Sequence, residues 1–120
     1  MISVCIPVFN FDITSLVNEL TRQIELLNQP AEIVVIDDCS NEKYKNINRV
    51  VCQKHVYIEL EKNIGRAKIR NLFLQFAKYD YLLFLDCDSS IQAASFLANY
   101  VENIGEKTAV VCGGRINDNS

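Results

Sequence analysis

Tyr81-Leu82-Leu83-Phe84-Leu85-Asp86-Cys87-Asp88 is the stretch whose reading decides the fold. Five apolar residues run without interruption and two carboxylates follow, at Asp86 and Asp88. An unbroken apolar run of this length predicts a strand covered on both faces, as in a parallel sheet. With the strand running over 81–85, the i, i+2 spacing sends both carboxylates off the same side of the backbone. Two hard oxygen donors at the carboxyl end of a buried strand suit a divalent cation that also touches phosphate oxygens. The plainer reading is a strand end whose acidic residues cap the next helix.

Outward from this stretch the same pattern recurs. Residues 2–8 form a β-branched apolar run, with Pro7 near its end, acceptable at a strand terminus but not inside a ladder. Residues 33–36 are a second buried strand that exits through Asp37-Asp38-Cys39-Ser40. Residues 56–60 alternate only partly and predict a third strand near a sheet edge; 109–112 predict a fifth. The spacers read as helices. Ile13, Leu16, Val17, Leu20, Ile24 and Leu27 recur at helical spacing, with Asp12 placed to cap the first turn and Asn28-Gln29-Pro30 ending the helix. Residues 41–51 predict a short polar helix. Asn63-Ile64-Gly65 opens another, with Ile69, Leu72, Phe73 and Phe76 as its buried stripe. Ser90 caps a last one, with Ile91, Ala94, Leu97, Ala98 and Val101 inward and Gly105 closing it.

Strands alternating with helix-length spacers imply right-handed crossovers and a mostly parallel α/β sheet with helices on both faces. Ligands of such sheets bind outside the carboxyl ends of the strands. Three of those ends carry chemistry: 7–10, Asp37-Asp38 and Asp86-Cys87-Asp88.

At 120 residues this is one domain or a piece of one. A net charge of −3 argues against a broad nucleic-acid footprint, which needs a basic face. Five cysteines without a CxxC pair predict a reducing compartment and no zinc site. Neither a signal peptide nor an apolar run of about 18 residues is present, so the expectation is a cytoplasmic chain without a transmembrane segment.

At the first strand end Phe9 offers a flat apolar face that could stack on a nucleobase, and Asn10 an amide. A core or lid phenylalanine is the alternative. At the second, Asp37 or Asp38 could accept from a base N–H or a ribose hydroxyl, or could simply make an Asx turn with Ser40. Asn63, Arg66 and Arg70 lie near one helix N-terminus, where free amides and the dipole favour an anion, although a solvated basic face explains the arginines too. His55, the single histidine, reads as a surface residue without a catalytic role. Taken together the set suits a nucleoside diphosphate with its divalent cation.

These residues also carry a resemblance. Ser3 to Asn10, Glu32 to Ser40, Asn63-Ile64-Gly65 with Ala67, Arg70 and Asn71, Tyr81 to Asp88, and Val111 to Ile116 are similar, in that order, to the motifs of family 2 glycosyltransferases. The resemblance implies a GT-A/Rossmann-like fold and transfer of a sugar from a nucleotide-diphosphate sugar to a glycan, lipid or other hydroxyl acceptor. It implies that Phe9 stacks on the base, Asp38 reads the base, Arg70 lies near the nucleotide and Asp86 faces the ribose or the metal shell; with Pro7, Asn10, Asp37, Asn63 and Arg66 from the residue reading above, these are the candidate donor-binding residues. Asp86 and Asp88 would hold Mg²⁺ or Mn²⁺ in the DxD manner. An inverting reaction with an oxocarbenium-like transition state would follow. Three positions depart from the usual pattern: Cys39 where glycine is common, Ser89 where a further Asp is frequent, and Ile69 where alanine is usual. No residue reads as the general base that inversion needs. The expectation is therefore the donor-binding part of a longer enzyme, residues 1–120, truncated before its acceptor half and inactive alone. A location at the inner face of a membrane and self-association through an incomplete apolar edge are compatible with it. A non-catalytic nucleotide-binding or assembly module is the alternative. A phosphoacceptor signalling domain would need an acidic pair after the first strand and a lysine after the fifth, and 7–10 and 112–115 supply neither.

Overall fold

The computed structural model describes residues 2–27, 29–89 and 96–98. Four strands and three helices alternate: β1 (Ile2–Val8), α1 (Thr14–Leu26), β2 (Ala31–Asp37), α2 (Glu42–Val51), β3 (Val56–Glu59), α3 (Arg66–Phe76) and β4 (Tyr81–Phe84). The strands form one sheet in the order β3-β2-β1-β4, and each of the three pairings is parallel. The expected fifth strand, and the helix expected from Ser90 apart from 96–98, lie outside the described residues.

The apolar runs are continuous because both faces of the sheet are covered. Ile2, Val4, Ile6 and Val8 of β1, with Ile33 and Val35 of β2, pack against Leu16, Val17 and Leu20 of α1. Their neighbours in sequence, Cys5, Val34, Ile36 and Leu82, pack on the other face against Ile69 and Phe73 of α3. Burial raises the thiols of Cys5 and Cys52 to about 12, so both act as small apolar residues. Ser3, fully buried in β1, is satisfied: its hydroxyl donates to Glu32 Oε2 at 2.7 Å and accepts from the Tyr79 N–H at 3.2 Å.

Pro7 is paired with Ile36 inside β1, not beyond its end. The reason it is tolerated lies in the ladder. The Val8 carbonyl accepts from the Asp38 N–H of the β2 side, whereas the Cys5 carbonyl accepts from Leu85 on the β4 side. Alternate residues of a parallel strand face alternate neighbours, so the missing N–H of Pro7 falls on the β4 side. There the pairing ends at Cys5–Phe84. Two other expectations are corrected. Phe76, in the last turn of α3, is 41% exposed and not part of the buried stripe. Helix α1 is entered through Ile13, and Asp12 acts one residue earlier, accepting from the Thr14 N–H at 2.9 Å.

The order β3-β2-β1-β4 reverses direction between β1 and β4, because α3 carries the chain back across the sheet. Outside the carboxyl ends of those two strands is where a parallel sheet opens a crevice.

Candidate functional site

A cleft of about 240 Å³ lies at that reversal, lined by Pro7, Phe9, Phe11, Asp38, Arg66 and Asp86 together with Val8, Ile69, Cys87 and Asp88. Three strand ends and the first residue of α3 therefore meet in one place.

The two carboxylates after β4 reach the cleft by a different route from the expected one. β4 ends at Phe84, and a tight turn follows in which the Ser89 N–H bonds the Asp86 carbonyl at 3.0 Å. The turn, not strand alternation, turns Asp86, Cys87 and Asp88 to the same cavity. Burial, then the charges of Asp88 and Asp86, push the Cys87 thiol up, so the residue between the carboxylates stays neutral. The Arg66 guanidinium pairs with Asp86 Oδ1 across the mouth of the cleft.

The adjacent carboxylates of the acidic turn have separate tasks. Asp37 is the last residue of β2 and fully buried. Its Oδ2 accepts from the Ser40 N–H at 2.8 Å, and its Oδ1 has no hydrogen-bond partner among the described residues. By strand alternation it lies on the face of Val35, toward α1 and α2, and it does not line the cleft. Asp38, one residue on, does line it. Its Oδ1 accepts from the Ile64 N–H at 2.7 Å and its Oδ2 from the Gly65 N–H at 3.0 Å. It thereby takes the place of the N-cap side chain that α3 lacks, at the positive end of that helix. Asn63 supports the same junction by donating to the Asp38 carbonyl at 3.0 Å. Gly65 sits at φ 87 and ψ 161, a backbone region restricted to glycine. Any side chain there would strain the turn that delivers Arg66.

Arg70 stands one turn further along α3, its guanidinium carbon 4.6 Å from the centre of the Phe84 ring, and is not among the cleft-lining residues. Asn10 braces the loop: its backbone N–H donates to Ser40 Oγ and its side-chain Oδ1 accepts from the Asn41 N–H, both at 2.8 Å. His55 lies away from the cleft but is not a simple surface residue. It is half-buried, with Nε2 3.0 Å from Thr21 Oγ1.

Two residues escaped the sequence reading. Phe11, to which the sequence assigns no role, lines the cleft beside Phe9. Asn48, fully buried in α2, clamps the loop from Phe11 to Ile13. Its position four residues after Tyr44 and four before Cys52 places it on the inward stripe of its helix, which was the available signal.

Among the described residues no group of three or more His, Cys, Asp or Glu side chains is arranged as a metal site, and no helix is long and apolar enough to cross a membrane. Of the three carboxylates that line the cleft, Asp38 is engaged with the Ile64 and Gly65 amides, which leaves Asp86 and Asp88 as the candidate set of cation donors. This set fits a hard cation that keeps waters or takes phosphate oxygens for its remaining positions, rather than a closed protein cage.

The fold is a parallel α/β sheet with an acidic and aromatic crevice at its reversal, and comparison with known proteins identifies the family. The model of glycosyl transferase family 2 matches residues 3–120, and the chain belongs to that family. Its fold is GT-A. The chondroitin synthase of Pasteurella multocida is 35% identical over 123 residues, a match covering 95% of this chain and 12% of that protein. The crystal structure of Staphylococcus aureus TarS residues 1–349 in complex with UDP-GlcNAc superposes with a TM-score of 0.66 at 30% identity, covering 88% of this chain and 31% of that one. A mannosyltransferase from Pyrobaculum calidifontis, in complex with GDP-Man and Mn²⁺, superposes with a TM-score of 0.72 at 24% identity, over 90% of this chain and 33% of that one. The chain thus spans a third or less of the length of each of these proteins.

Proposed function

We propose that residues 1–120 form the donor-binding part of a glycosyltransferase that moves a sugar from a nucleoside diphosphate to the hydroxyl of a glycan, lipid or other acceptor, with inversion at the anomeric carbon. One observation carries this reading: an aromatic ring, a guanidinium at a helix start and two carboxylates share a single cleft at the sheet reversal. The relatives bound to UDP-GlcNAc and to GDP-Man with Mn²⁺ support the donor class.

In this reading Phe9 stacks on the base, and Pro7 shapes the floor beneath it. Asp38 does double service. Each of its oxygens holds one backbone amide and keeps a lone pair directed at the base or ribose. Arg66 and the first-turn amides of α3 face the diphosphate. Asp86 and Asp88 would hold Mg²⁺ or Mn²⁺, whose chemistry when bound is to neutralise the charge that grows on the departing nucleoside diphosphate. Asp37, Asn10 and Asn63 act through the backbone turns they brace, and Arg70 through its packing on Phe84.

Calorimetric titration of UDP and of GDP, each with and without Mn²⁺, tests the proposal. Binding that requires the cation, and that falls at least tenfold in Asp88→Ala, is the expected result. Absence of binding by any nucleoside diphosphate in the presence of Mg²⁺ or Mn²⁺ overturns it.

A further inference from the structure

The loop that leaves β1 presents two phenyl rings to the cleft. Phe9 is 50% exposed and Phe11 39%, and both line the wall shared with Asp38, Arg66 and Asp86. Single exposed apolar side chains need no explanation, but two on one concave, charged wall do.

The backbone under these rings is fixed from both sides. Asn10 sits between them at φ 50, a left-handed conformation that asparagine tolerates, and is tied to Ser40 and Asn41. Beyond it, Asn48 Nδ2 donates to the Phe11 carbonyl at 2.8 Å and Asn48 Oδ1 accepts from the Ile13 N–H at 3.1 Å. Both ends of this fully buried amide are thus used on the backbone that flanks Asp12. A ring carried on a pinned backbone loses less freedom when a ligand settles on it.

We infer that Phe11 is a second base-contacting aromatic of the cleft, and that Asn48 is the positioning residue that holds it there. The inference rests on the donor-cleft reading above. A planar heteroaromatic ring has two apolar faces and a polar edge, which matches two phenyl rings beside a carboxylate and a guanidinium. A saturated ring or an acyl chain would use the apolar surface without the polar edge.

The test compares UDP, GDP and inorganic pyrophosphate, each with Mn²⁺, on the unaltered chain and on Phe11→Ala, Phe11→Tyr and Asn48→Asp. Phe11→Ala is expected to weaken both nucleotides roughly tenfold, the scale of one base–aromatic stack, and to leave pyrophosphate unchanged. Phe11→Tyr should restore nucleotide binding. Asn48→Asp sets a carboxylate oxygen against the Phe11 carbonyl. It is expected to reduce nucleotide affinity severalfold, again without effect on pyrophosphate. A purely structural role would weaken all three ligands together or none. Should Asn48→Asp fail to fold, Phe11→Ala, a change at an exposed side chain, decides alone. Equal nucleotide affinity in Phe11→Ala and the unaltered chain overturns the inference and leaves the donor-cleft reading standing. Absence of nucleotide binding by the unaltered chain removes both.

Discussion

The guanidinium of Arg66 rests on the carboxylate of Asp86, joining the first residue of α3 to the turn after β4 across the mouth of the cleft. The Arg66 side chain is 71% exposed and that of Asp86 17%. An ion pair with one partner in water contributes about 0–1 kcal/mol, so it is readily parted. In the proposed function a cation and a diphosphate do so together, the cation drawing Asp86 and the diphosphate drawing Arg66. Arg66→Gln should therefore have opposite effects on two ligands. Affinity for Mn²⁺ alone should rise roughly threefold, since a competing charge of that worth is removed. Affinity for a nucleoside diphosphate with Mn²⁺ should fall. Electron paramagnetic resonance of free Mn²⁺ measures the first and calorimetry the second. Unchanged Mn²⁺ affinity would remove Asp86 from the cation site.

Cys39 offers a prediction about stability. It adopts φ 65 in the acidic turn between Asp38 and Ser40. Its thiol donates to the Glu61 carbonyl at 3.5 Å, a weak hydrogen bond. A residue with a Cβ in the left-handed region is strained by about 1–2 kcal/mol, part of which glycine gives back through its freer unfolded chain. Cys39→Gly should raise the unfolding free energy by roughly 0.5–1 kcal/mol. Urea unfolding with an unchanged slope would register it. A loss of stability would show that the thiol contact outweighs the backbone strain.

That same turn shows what the sequence could and could not disclose. The strands were visible because parallel strands covered on both faces must be apolar throughout, as Ile33 to Ile36 and Leu82 to Leu83 are. The preference for glycine at position 39 was visible as a departure, and the positive φ supplies its physical reason. Adjacent carboxylates were separable only through the family resemblance, not through their own chemistry. Asp37 and Asp38 are chemically identical, and only the alternation at the end of β2 decides that one turns inward to Ser40 and the other holds the start of α3. Phe11 and Asn48 stayed hidden for a related reason. The loop carries no periodicity, and a polar residue in a polar helix looks solvated until a backbone carbonyl is found against it. Phe76 failed in the opposite sense: helical spacing continues to the end of α3, but Phe76 itself is left 41% exposed.

His55 gives the chain a stability slope near neutral pH. Thr21 Oγ1 donates its single proton to the Val17 carbonyl at 2.7 Å, so the contact of 3.0 Å to His55 Nε2 requires the imidazole to be the donor. Neutral His55 therefore carries its hydrogen on Nε2. Burial first, and the charge of Lys54 second, hold its pKa below the ordinary 6.5. The unfolded chain then binds more protons than the folded one in the window just below pH 6.5. Stability is full above that value, declines as pH falls through the window, and levels off below the folded pKa. The carboxylates of Glu19 and Glu59, depressed chiefly by hydrogen bonds from Arg22 and Arg49, act in a separate window, their contribution being lost only as pH falls below about 4.5. Urea unfolding at pH 7.5, 6.5 and 5.5 should show the unaltered chain losing stability across the series while His55→Gln stays nearly flat. Equal slopes in the two proteins would mean that His55 titrates alike folded and unfolded, and that neither its burial nor Lys54 bears on its proton.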